Sequence, residues 1–172
     1  MGWRLHWYKA DKDIPIKFKQ EDVMEDEGYP YVNGERLLWC EGTDIWLDEV
    51  SDEDKQNPEF FVKLYSGFEM NFYEVTKKGL ELIIDKYKER IIKVFEEGMK
   101  PEKERDSFYP SLEEYAKQKI YFWKNDLQFR YEKHTDKNEV SAFSGYEYCI
   151  FNLISIYKNF DFDNYKIIIY GS

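Results

Sequence analysis

Tyr165-Lys166-Ile167-Ile168-Ile169-Tyr170 reads as a β-strand that comes after three long helical stretches, and its place in the order decides the fold class. A turn at 161–164, rich in Asp and Asn, leads into it. Strands first, helices second and one strand last is the α+β pattern. The βαβ alternation of a doubly wound nucleotide fold is absent. The expected architecture is a mainly antiparallel sheet from the N-terminal half, packed against about three helices, with the C-terminal strand returning to the sheet.

Working back from that strand, residues 139–159 read as a helix. Its stretch 146–160 is apolar on most sides and leaves Asn152, Ser155 and Asn159 as a narrow polar strip. A helix of that kind belongs in the core. Before it, Ser111-Leu112-Glu113-Glu114 is a capping box. It opens a helix with Leu112, Tyr115, Ala116, Ile120, Trp123 and Leu127 on one stripe, fraying near 134–138. Residues 99–110 form a charged linker. The chain reads as a single domain over 1–172, with 99–110 as the boundary if it divides into a β-rich part with a long helix (1–98) and a helical part with the terminal strand (111–172). That long helix starts after Thr76, whose hydroxyl can accept a free backbone N–H. Leu80, Ile83, Ile84, Tyr87, Ile91, Val94 and Phe95 recur at helical spacing, and Gly98 near Pro101 ends it.

The first third of the chain has the two-residue period of strands. Trp3, Leu5 and Trp7 alternate with Arg4, His6 and Tyr8, the second set on the face expected to be wetter. Residues 10–13 turn the chain, and Ile14, Ile16 and Phe18 repeat the pattern. Asn33-Gly34, between Tyr31-Val32 and Leu37-Leu38-Trp39, favours a two-residue hairpin turn because both positions tolerate positive φ. Ile45-Trp46-Leu47 reads as a short strand, and 48–58 as an exposed loop limited by Pro58. Phe60 to Tyr65 and Phe68 to Tyr73 alternate around Ser66-Gly67 as a second hairpin.

Composition narrows the class. The chain has 172 residues with 15 Tyr, 13 Phe and 5 Trp. Disordered chains are poor in such residues, so a packed core is expected. Cys40 and Cys149 are far apart and form no CxxC, which suits two reduced thiols and a cytoplasmic setting. No stretch approaches the ~20 apolar residues of a membrane span.

The net charge is −10. Residues 21–54 hold thirteen acids and one base, Arg36, so that stretch carries −12 and the remainder +2. Direct nucleic-acid binding is disfavoured there, since displacing counterions from phosphates needs Lys and Arg.

The motifs of catalysis are missing. There is no GxGxxG, no GxxxxGK[ST] and no GxSxG. His6 and His134 have no motif partner that would make either a general base, and neither cysteine has zinc-ligand spacing. No catalytic residue, metal ligand or cofactor is therefore assigned. Asp11-x-Asp13 and Asp161-x-Asp163-Asn164 offer oxygen ligands but do not continue as calcium loops, so turn formation is their expected role. Glu53-Asp54-Lys55 with Asp44 upstream has the letters of a metal nuclease motif, which needs a strand.

What remains is the acidic stretch with Tyr29, Tyr31, Trp39 and Trp46 set within it. Clustered charge steers encounters, and aromatic anchors supply buried contact. The expected function is a non-catalytic acidic binding or inhibitor protein, of immunity type or of an anti-defence type that mimics nucleic acid. Its partner is a basic protein such as a nuclease toxin or a nucleic-acid-binding protein. The expected face comprises Glu25, Asp26, Glu27, Asp44, Trp46, Asp48, Glu49, Asp52, Glu53 and Asp54. The alternatives are a solvated surface that keeps an aromatic-rich protein in solution, or a divalent-metal-dependent hydrolase or nuclease whose carboxylates only the fold brings together.

Overall fold

The computed structural model describes residues 4–13, 35–41, 49–67, 70–98 and 144–171, together with Lys117, Ile120, Tyr121 and Lys124. Their elements run β1 (Arg4–Asp11), β2 (Glu35–Glu41), α1 (Asp52–Gln56), β3 (Phe61–Gly67), β4 (Met70–Val75), α2 (Lys77–Gly98), α3 (Ser144–Asn159) and β5 (Tyr165–Gly171). The strands form an antiparallel sheet in the order β2-β1-β5-β4-β3. This is the expected α+β class, with the C-terminal strand returning to the sheet. Among the described residues no helix is long and apolar enough to cross a membrane. The expected strand at 14–18, the Asn33-Gly34 turn, the strand at 45–47, the linker at 99–110 and most of the helix from 111 lie outside the described residues.

The chain divides into two compact units, Met1–Ile83 with Ile156–Ser172, and Ile84–Ser155. The first holds the whole sheet. β5 pairs with β1 on one side, Trp7 opposite Ile169, and with β4 on the other, Tyr73 opposite Ile169. Directly opposed residues share a face of the sheet. Trp7, Ile167, Ile169, Val75 and Phe61 therefore lie on one face, and His6, Tyr8, Ala10, Ile168 and Phe72 on the other. All ten are buried. Both faces of the sheet are thus covered at its centre. His6, placed by alternation on a wetter face, is only 8 % exposed. Alternation assigns a residue to a face but cannot tell whether that face is dry.

Helix α2 begins where Thr76 fixes it. The Thr76 hydroxyl accepts the Gly79 N–H at 3.0 Å and lies 2.5 Å from the Glu59 carbonyl oxygen, to which it donates. The Thr76 N–H donates to the Phe60 carbonyl at 3.0 Å. One residue therefore caps the helix and ties it to the entry of β3. Gly79 lets the two backbones meet, because a Cβ there would collide with the Phe60 carbonyl oxygen and stand 3.1 Å from the Phe61 ring. α2 runs 22 residues, the length and limits that its sequence predicts. Within the same unit Tyr157 donates to the Glu81 carboxylate, and Lys77 lies over the Tyr157 ring at 5.2 Å.

In the second unit, Ile84, Tyr87, Ile91 and Phe95 form the buried stripe of α2, and Cys149, Ile150, Leu153 and Ile154 that of α3. Cys149 is buried and forms no disulfide. Lys117, Ile120, Tyr121 and Lys124 are helical; Ile120 is buried while the other three are exposed, as the stripe through Ile120 predicts. Lys124 pairs with Glu96 at 3.1 Å. Both partners are half exposed, so the pair contributes about 0–1 kcal/mol. α3 begins at Ser144, and residues 139–143 of the expected helix are outside the described residues.

Gly79→Ala tests the close approach. In an unobstructed helix, alanine gains up to about 1 kcal/mol over glycine. Here the added methyl meets a carbonyl already held by the Thr76 N–H, and overpacking of that kind costs about 1–3 kcal/mol. Urea denaturation should show a net loss of stability, and a gain would show that the Phe60 carbonyl can move aside. Thr76→Ala should cost about 1 kcal/mol, the typical loss of a cap.

Candidate functional site

Of the ten residues expected on the acidic face, Glu25, Asp26, Glu27, Asp44, Trp46 and Asp48 lie outside the described residues. Asp52, Glu53 and Asp54 lie in α1, and Glu49 lies in the turn just before it. The stretch 48–58, expected as an exposed loop, contains this five-residue helix. Its cause is local hydrogen bonding. The Ser51 Oγ accepts the Asp54 N–H at 3.1 Å, and its hydroxyl donates to Asp54 Oδ2 at 2.7 Å. Asp52, Glu53 and Asp54 occupy the first turn, where negative charge complements the exposed N–H groups. No residue of α1 itself is buried, but Val50 just before it is, at 3 % exposure.

The far end of α1 is equally defined. The Asn57 N–H donates to the Asp54 carbonyl, and the Asn57 carbonyl accepts from the N–H groups of Phe60 and Phe61. The Asn57 side-chain oxygen accepts the Glu59 N–H at 3.0 Å. The acidic turn is therefore joined through consecutive hydrogen bonds to the first residue of β3. From β3 the same network reaches Thr76.

The four acids have different surroundings. Glu53 is exposed. Asp52, with 93 % of its side chain exposed, lies 3.8 Å from Lys55, whose side chain is largely covered. Its charge is felt on β4: burial first, and then Asp52, push the Tyr73 hydroxyl above its ordinary pKa. Asp54 spends a carboxylate oxygen on Ser51. Glu49 is half-buried. Asp52 and Glu53 are the acids best placed to meet a cationic side chain from outside.

The other sequence candidates resolve differently. Glu53-Asp54-Lys55 lies in α1 and not on the strand that a metal nuclease motif needs. Among the described residues no three His, Cys, Asp or Glu side chains converge to hold a metal. His134 is outside the described residues. Asp161 forms the turn expected of it. Its Oδ1 accepts the N–H groups of Asp163 and Asn164, and its Oδ2 accepts from the Asn164 side chain at 2.7 Å. The bond from the Asn164 side chain is the main cause that holds the Asp161 carboxyl below its ordinary range, with the two backbone bonds and Lys9 adding to it. Lys12 and Lys166 bind the neighbouring carbonyls of Phe162 and Lys12.

No family model, no curated protein and no solved structure matches this chain.

Two substitutions probe these turns. Ser51→Ala should release α1: hydrogen exchange at the Asp54 and Lys55 amides speeds up, while the amides of β5 keep their protection. Unchanged exchange would mean that the Ser51 bonds are not what holds the helix. Asp161→Ala removes a carboxyl whose folded-state pKa is depressed. Its stabilising effect is present above the unfolded value of about 3.9 and is lost as pH falls through the lower folded value. The melting temperatures of wild type and variant should therefore differ at pH 7 and converge on acidification towards pH ~2.

Proposed function

We propose that the protein is a non-catalytic acidic binding protein of the immunity or anti-defence type, which acts in the cytoplasm by docking a basic protein partner. One observation carries the reading: residues 21–54 hold a charge of −12 while the rest of the chain carries +2. Charge confined in this way sets up a directional field, which raises the encounter rate with an oppositely charged surface. Such a field weakens beyond about 8 Å at physiological salt, so the docking is salt-dependent.

Further support comes from the way Glu49, Asp52, Glu53 and Asp54 are displayed. Preorganised groups lose less entropy on binding than groups on a loose segment. The acids of α1 are carried on a capped turn that leads by hydrogen bonds into the sheet. Tyr29, Tyr31, Trp39 and Trp46 lie in the same stretch of sequence and supply the type of side chain that dominates interface energies.

The test keeps α1 intact. Glu25, Asp26, Glu27, Asp44, Asp48 and Glu49 are changed to Lys, and Asp52, Glu53 and Asp54 are left in place. A control variant reverses an equal number of acids outside the stretch, including Asp11, Asp85 and Asp163. Both are checked for folding by circular dichroism. The basic protein that wild type retains from host extract is purified and titrated calorimetrically. The first variant should bind at least about tenfold more weakly, a change of about 1.4 kcal/mol, with a flatter salt dependence. The control should bind like wild type. Equal affinity in all three would sink the proposal.

The same reading expects Mg²⁺, Mn²⁺ and Ca²⁺ to leave the melting temperature unchanged. A ligand at a hundred times its Kd would add about 2.7 kcal/mol and raise it by several degrees.

A further inference from the structure

We draw no further inference here: the strongest candidate, the pair of aspartate-bearing turns at 11–13 and 161–164 that the pairing of β1 with β5 sets side by side, is an acidic cluster whose Asp161 carboxylate is taken up by Asp163 and Asn164 and whose neighbouring carbonyls are bound by Lys12 and Lys166, and no second observation points to a ligand there.

Discussion

The pairing of β5 with both of its neighbours is the constraint on which the sheet depends. β1 with β2 and β4 with β3 are two antiparallel ribbons that share no hydrogen bonds with each other in this sheet. A two-stranded ribbon is marginal in water. β5 lies between the ribbons and turns two weak pairs into one five-stranded sheet. Its centre, Ile167, Ile168 and Ile169, has no exposed surface on either face. At about 1.5–3 kcal/mol for each fully buried side chain, these isoleucines contribute a large share of what a domain of this size has in reserve.

A second, smaller junction joins the sheet to the acidic turn. Thr76 holds the carbonyls of Glu59 and Phe60, and Asn57 holds the amides of Phe60 and Phe61. The two polar residues grip the same few backbone atoms from either side in sequence. The acids of α1 therefore serve two purposes at once. They offset the partial positive charge of a helix end, and they give that part of the surface its negative sign. This double duty sets a limit on mutational arguments: neutralising Asp54 alters the local backbone as well as the local charge.

The parts of the fold that could be read from sequence are those whose causes lie within one or two turns of chain. α2 was legible because a cap, a periodic apolar stripe and a terminating glycine all agree on its limits. The two strands of the β3–β4 hairpin were legible from their alternation, but Ser66 and Gly67 pair with Asn71 and Met70 within the ladder instead of forming the turn, and the register shifts between Lys63 and Tyr65. α1 was missed because a five-residue helix has no apolar stripe to betray it. Its signal, Ser51 three residues before Asp54, is the capping pattern in its shortest form. The central position of β5 could not be read either, since strand order is decided by contacts between distant parts of the chain. His6 failed for the same reason: what dries its face is remote in sequence. The candidate site was legible as charge, and Asp52, Glu53 and Asp54 share the first turn of α1, but which of them faces outward depends on Ser51 and Lys55.

A central strand drawn from residues 165–171 also sets an order of events. On a ribosome, β1, β2, β3 and β4 all emerge before the strand that unites them. Until then β1 and β4 each carry a ladder edge with unsatisfied amides and carbonyls, open to water or to the same edge on a neighbouring nascent chain. Closing the sheet means bringing β5 back to β1 across almost the whole sequence, which makes folding slow for a protein of this length. The finished molecule hides its most apolar strand, while the growing chain spends its most vulnerable interval waiting for it.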